Sequence, residues 1–286
     1  MPGWKSAANW MKFLMRRSLF LLNRIASSLV GWVAALVLIG CVGTSAPTGQ
    51  PAPTELVVFA ASSLTEAFTA LAQGFEADHP DVAVTLNFAG SQQLAQQLAL
   101  GAPADLFASA DQPQMAAVMA AGRVSPDDVQ IFAHNRLVIV LPADNPGNVH
   151  ALADLARPGL RVVLADASVP VGAYTRTFLA NADAAPDRPA DFSQGVLANT
   201  VSFEINVRAV LSKVRLGEAD AGVVYASDGA AAGTTVQQIP IPDALNVVAA
   251  YPLAPVADAL HPQAAKAFVA FILSPPGQKI LADHGF

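Results

Sequence analysis

Apolar positions follow two periods along most of this chain. From residue 55 onward, short β-branched or aromatic runs alternate with stretches that repeat every three or four residues. Glu55–Ala60 (ELVVFA) reads as a buried strand, because continuous apolar runs of this length suit a strand covered on both faces. Leu64, Phe68, Leu71 and Phe75 then mark one face of a helix. Ser63-Leu64-Thr65-Glu66 has the form of a capping box, which predicts Ser63 as the helix cap. Further strands are predicted at Val82–Ala89, Asp105–Ser109, Leu137–Leu141, Leu160–Ala165, Ala221–Tyr225, Val236–Ile239 and Val247–Val256. Helices are predicted at Gln92–Leu100, Gln112–Ala121, Val149–Leu155, from the Val169–Gly172 turn through Asn181, Asn206–Leu216, His261–Leu273 and Pro276–His284. Ala182–Ser202, with Pro186, Pro189 and Gly195, reads as loop. Strands alternating with helices imply an α/β fold with a mostly parallel sheet flanked by helices.

The first 54 residues follow another rule. Lys5, Lys12, Arg16, Arg17 and Arg24 precede fifteen uncharged residues, Ile25–Ile39, and then Leu38-Ile39-Gly40-Cys41. A basic region, an apolar region and small residues make up an export signal over 1–40. Fifteen residues fall short of the roughly 20 that span a bilayer. Leu-Ile-Gly-Cys resembles the bacterial lipobox, in which the cysteine takes up the lipid. Cys41 is the only cysteine. An uncleaved signal anchor, with Cys41 an ordinary apolar residue, is the competing reading. Residues 41–53 are rich in Pro, Gly, Ser and Thr and read as a flexible tether. Either reading puts the folded body outside the membrane.

Charge and composition narrow the chemistry. The 286 residues carry 16 basic and 22 acidic side chains. Five of the bases and none of the acids lie in 1–40, so the rest of the chain is strongly acidic. Such a body is a poor partner for nucleic acid, whose phosphates need a basic footprint. One cysteine excludes an internal disulfide and cysteine-rich metal sites. His79, His134, His150, His261 and His284 are scattered, and no Gly-x-Ser-x-Gly elbow is present. Only His134 stands near a position where it could serve as a base. A cation receptor would need His or carboxylate clusters at ligand spacing, which the sequence lacks. Asp105 and Asp228, at strand ends, read as caps or structural acceptors. The junctions at Ser62-Ser63, Gly90-Ser91 and Val169–Gly172 put small or hydroxyl residues where strands give way to helices, the usual ligand position in open α/β sheets. Ser62 itself reads as a turn residue.

The strings FAASSLTEAF, NFAGSQQLAQQL, GAPADLFASAD, DASVPVGAYTR, NVRAVLSKVRLGEADAGVVYASD and YPLAPV, with the terminal HGF, resemble the substrate-binding proteins of molybdate ABC importers. The resemblance covers about 55–286. It implies a two-lobed type II periplasmic-binding-protein fold with the ligand in the interlobe cleft. Lobe one would be 54–134 plus 250–286 and lobe two 135–249, with crossings near His134–Leu137 and Ala249–Tyr251. It implies no catalysis, no cofactor and no metal held as a cation. The ligand would be molybdate or tungstate, held by hydroxyls of Ser63, Ser91 and Tyr225 and by backbone N–H groups of Val171 and Val207. The protein would act as a monomer anchored through lipid at Cys41 and would deliver its ion to a membrane permease and its ATPase. The same architecture with sulfate or a small organic anion is the alternative. Three departures stand out: Gly90 and Gln92 flank Ser91 where serine is common, Asn206 replaces a frequent acid, and 182–202 is long.

Overall fold

Strand β1 (Thr54–Ala61) shows why the sheet has two covered faces. Leu56, Val58 and Ala60 point into the main core, while Phe59 points into a second cluster with Leu94, Leu98, Phe107 and Met115. The period-2 alternation of a strand sends successive side chains to opposite faces, so both faces need helices. The computed structural model describes residues 52–185 and 191–286. The signal, Cys41 and nearly all of the tether lie outside the described residues, as do Pro186 and Pro189. No helix among the described residues is long and apolar enough to cross a membrane.

The remaining strands are β2 (Val82–Ala89), β3 (Leu106–Ala108), β4 (Gln130–Pro142), β5 (Val162–Ala165), β6 (Thr200–Glu204), β7 (Ala221–Tyr225), β8 (Val236–Pro240) and β9 (Val248–Pro255). The helices are α1 (Thr65–Asp78), α2 (Ser91–Ala99), α3 (Gln112–Ala120), α4 (Pro170–Ala184), α5 (Phe192–Ala198), α6 (Val207–Arg215), α7 (Ala226–Ala232), α8 (Pro262–Leu273) and α9 (Pro275–Asp283). Strand order is β2-β1-β3-β9-β4-β7-β5-β6, with β8 also paired to β4. β1 runs parallel to β2 and β3, and β5 runs parallel to β6 and β7. These two parallel groups define two sheet halves. β4 and β9 join them as an antiparallel pair in which His134 faces Ala250 and Asn135 faces Ala249.

The first half is closed by aromatic packing. Phe68 and Phe75 of α1 meet Phe268 of α8 with ring centroids 6.4 and 5.0 Å apart. Truncating one such buried ring to alanine costs about 3–5 kcal/mol. The chain's last two helices therefore pack on elements built from its first described residues.

Four expectations need correction. Ser63 does not cap α1: it lies in a 3-10 turn, Ser62–Leu64, and makes no capping hydrogen bond. Its would-be partner Glu66 is engaged by Arg208, so a long-range ion pair displaces the local box. Ala182–Ser202 is not loop, since α4 runs to Ala184 and α5 and the start of β6 fall within it. Phe192 and Val196, four residues apart, bury one face of α5, and Asn199 donates to the carbonyls of Leu155 and Arg157 at 2.8 and 2.7 Å. Gly195 is a close-packing residue rather than a loop signal, since a Cβ there would lie 2.8 Å from that of Ala156. Val149–Leu155 forms only a 3-10 turn, Leu152–Ala156. Finally, β4 begins at Gln130, seven residues before the expected Leu137, because its mixed first half, with Phe132 and Ala133 in the core and Gln130, His134 and Arg136 exposed, gains its ladder from β9.

Candidate functional site

Five strand ends converge on one place. Ser62 and Ser63 follow β1, Gly90 and Ser91 follow β2, Val169 to Val171 open α4 beyond β5, Val207 opens α6 beyond β6, and Tyr225 ends β7. With Ala61 and Ala110 they line a single cavity of about 10 Å³, close to the space that one water needs. Pockets for drug-sized ligands run to about 300–1,000 Å³, so only a small group fits here. It holds Ser63, Ser91, Val171, Val207 and Tyr225 together, drawn from both sheet halves. Ser62 also lines it, beyond its part in the turn.

The donors differ in origin. Val171 is the second residue of α4 and Val207 the first of α6, where N–H groups have no intrahelical partner and helix dipoles favour negative charge. Pro170 fits the first helical position, which needs no N–H. Gly172 is required by close approach: a Cβ there would lie 1.9 Å from the Asp166 carbonyl oxygen. Asn206 caps α6 through Oδ1, which accepts from Ala209 N at 2.9 Å. The cap satisfies the third N–H of the helix and leaves that of Val207 free.

The hydroxyls are held from behind. Ser91 Oγ accepts from Ala110 N at 3.0 Å, which leaves its own proton for another acceptor. Ser63 Oγ lies 3.1 Å from the Tyr251 hydroxyl. With Tyr251 donating, the Ser63 proton is also free for the cavity. The Tyr225 hydroxyl is buried and makes no hydrogen bond among the described residues. Burial, reinforced by Tyr251, Tyr174, Asp111 and Asp228, pushes its pKa well above the ordinary tyrosine value. Tyr174 is pushed up to about 12, chiefly by burial and then by the Asp111 charge. Both phenols therefore stay protonated. Tyr225 packs edge-to-face against Tyr251 and Tyr174, with centroids 5.6 and 6.5 Å away.

Among the described residues no lysine or arginine side chain lines the cavity. Arg208, next to Val207, turns toward Ser62 O, Glu66 and Asp228. Asp228 is fully buried, and loss of hydration raises its pKa to about 7 even though Arg208 acts to lower it. Asp111 is raised by burial as well, although Gln114 N donates to it at 3.0 Å. Asp105 accepts from Val57 N and His261 N, both at 2.8 Å, as a structural acceptor would. His134 is an exposed residue of β4 and does not line the cavity. Among the described residues no group of three His, Cys, Asp or Glu could hold a metal ion.

Residue reasoning missed Arg208 and Tyr251. Each left a signal. A cation in the first turn of a helix opposes the dipole and so implies a tertiary partner. A tyrosine inside the apolar run VVAAYPLA implies a buried partner for its hydroxyl.

Comparison with known proteins adds three findings. Residues 56–286 match the family described as bacterial extracellular solute-binding protein. The chain is 41% identical over 263 residues to the molybdate-binding protein ModA of Mycobacterium tuberculosis, covering 90% of this chain and 96% of that one. A solved substrate-binding domain from Clostridium difficile, assigned to a molybdenum ABC transporter, superposes with TM-score 0.61 at 30% identity over 81% of this chain and 97% of its own. The sulfate-binding protein SubI of M. tuberculosis superposes with TM-score 0.72 at 24% identity, covering 82% of this chain and 86% of its own, and shares the fold.

Proposed function

The chain belongs to the bacterial extracellular solute-binding proteins, and from that premise we propose that it captures molybdate for an ABC importer. The observation that carries the reading is the residue set: Ser63, Ser91 and Tyr225, with the helix-start residues Val171 and Val207, line one small cavity that has no cationic side chain among the described residues of its wall. A fully deprotonated tetrahedral dianion is an acceptor on every oxygen, and such a wall offers it only donors. Each hydrogen bond to a charged group is worth on the order of 1.5–3 kcal/mol. Several together replace the water shell of the ion. Hydrogen phosphate would bring a proton of its own into a wall of donors and is disfavoured. Sulfate has the same charge and a smaller radius, so closure of the two halves sets that discrimination. Tungstate matches molybdate in charge and size and binds as well.

Further parts of the reading rest on the sequence. The body is carried outside the membrane and anchored through lipid at Cys41, acts as a monomer, and hands its ion to a permease coupled to an ATPase. It carries out no reaction and needs no cofactor. The ligand wall is Ser63, Ser91, Val171, Val207 and Tyr225, with 54–134 plus 250–286 as one lobe and 135–249 as the other. Excess acid slows encounter with an anion without preventing binding, because the fixed dipoles act at contact distance while more remote carboxylates are screened over about 8 Å. Calorimetric titration with molybdate, tungstate, sulfate and phosphate tests the reading. Tight binding of the first two alone is expected. Preference for sulfate, or no heat with any of the four, overturns it.

A further inference from the structure

We propose that Arg208 is a latch that ties the two sheet halves together beside the cavity and sets how long the ligand is retained. The proposal rests on the reading of the cavity given above. Arg208 follows Val207, which lines the cavity, so the latch and a residue of the proposed ligand wall share one turn of α6. Its guanidinium leaves the half that carries α6. Nε donates to the carbonyl of Ser62 at 3.1 Å, and Nη1 donates to Glu66 Oε1 at 2.9 Å. Nη2 meets Glu66 Oε2 as well, giving a forked pair. Ser62 and Glu66 belong to the half built on β1, and Ser62 adjoins Ser63. Every one of these bonds therefore joins the two halves, and each starts at the residue next to Val207 in the cavity wall.

Asp228 lies beside the guanidinium on its own half as a neighbouring carboxyl, without a hydrogen bond to it. Its Oδ1 lies 3.0 Å from Arg208 Nε, and the side chain is fully buried. The arginine is thus pre-aimed before the halves meet, and little side-chain entropy remains to be lost on closure. Arg208 is the suitable cation here, because a planar fork can serve a carboxylate and a carbonyl together, whereas a lysine ammonium is a single point. A second, uncharged strap joins the two halves where Gln92 Nε2 donates to the Ile205 carbonyl at 2.7 Å. Glu66 is partly exposed, at 43%, so its pair with Arg208 is accessible to water and reversible. A latch of that strength slows opening without preventing release.

The test follows release of labelled molybdate into excess unlabelled molybdate, together with amide exchange over 62–66 and 206–209. Glu66→Gln removes the charge and keeps the shape, and Arg208→Lys keeps the charge and loses the fork, so both should fold. Each should release molybdate about 3- to 10-fold faster, as expected for a partly exposed charged pair, while association changes by less than about twofold. The double variant should release no faster than the faster single variant, because both act on one interaction. Exchange in the two segments should rise together. Unchanged release and exchange in both single variants, effects that multiply in the double, or slowed association with normal release would each overturn the latch. If the unmodified protein takes up no molybdate, the ligand reading fails while the latch stands on exchange alone: a joint rise in Glu66→Gln supports it, and no rise overturns it.

Discussion

The two halves of the molecule approach the same cavity with different materials. The half built on β1, β2 and β3 contributes side-chain hydroxyls, Ser63 and Ser91. In the proposed site the half built on β5, β6 and β7 would contribute the main-chain N–H groups of Val171 and Val207, which line the cavity together with the Tyr225 phenol. A hydroxyl rotates to suit its acceptor and needs a second bond to aim it, which Tyr251 and Ala110 N supply. A helix-terminal N–H is aimed by the backbone and needs only that the helix start at the right residue. One half is therefore set by residue type and the other by where helices begin.

Substitutions can separate these two strategies. The largest effect is expected from replacing Ser63 and Ser91 together by alanine. Two charge-assisted bonds of about 1.5–3 kcal/mol each correspond to roughly a hundredfold to ten-thousandfold loss of molybdate affinity. Calorimetry that found the affinity of this double variant unchanged would remove the serines from the site. Tyr225→Phe deletes one donor and keeps the ring packing, so a loss of about 10- to 150-fold is expected on the same titration. A loss below about threefold would mean that the phenol serves only to pack.

Asp228 gives a difference of another kind, read in stability. Its folded-state pKa is raised from 3.8 to about 7, chiefly by burial. The native state then holds a proton that the unfolded chain has already released, so this contribution is present below about pH 4 and is lost as pH rises toward 7. Urea midpoints measured from pH 4.5 to 7.5 should fall more steeply with pH for the unmodified protein than for Asp228→Asn. Equal slopes would show that the carboxyl ionises as readily folded as unfolded. The smallest effect is expected at Val207→Ala. It keeps the N–H and removes two methyl carbons, so molybdate affinity should stay within about threefold. A hundredfold loss there would mean that the valine side chain, rather than its amide, shapes the cavity.

The same contrast explains what could be read from the chain beforehand. Ser63 and Ser91 are chemical types that declare themselves at strand ends, and the Val169–Gly172 turn marked a third junction. Tyr225, Val171 and Val207 were singled out as donors only by the resemblance to a family, since the proposed role of the two valines lies in their backbone. Strands with continuous apolar runs, such as β1 and β7, were legible because their signal is local burial. The first half of β4 was not, because Gln130, His134, Asn135 and Arg136 gain their strand partner from β9, more than a hundred residues later. Helix α7, with the sequence ASDGAAA, carries almost no apolar periodicity and gave no signal. The box at Ser63 and Glu66 misled for the opposite reason: a good local pattern lost its glutamate to an arginine far along the chain.

The pairing of β3 has a consequence for how the protein is made. This three-residue strand lies between β1, which precedes it in sequence with β2 in between, and β9, where Leu106 meets Pro255. Until the last portion of the polypeptide emerges, β3 presents an open row of amides and carbonyls, a template for wrong partners. Contacts so distant in sequence form slowly, because a long loop must close first. The β1 half is thus begun first and completed last, so a chain kept extended until its final residues are available would avoid a half-finished sheet.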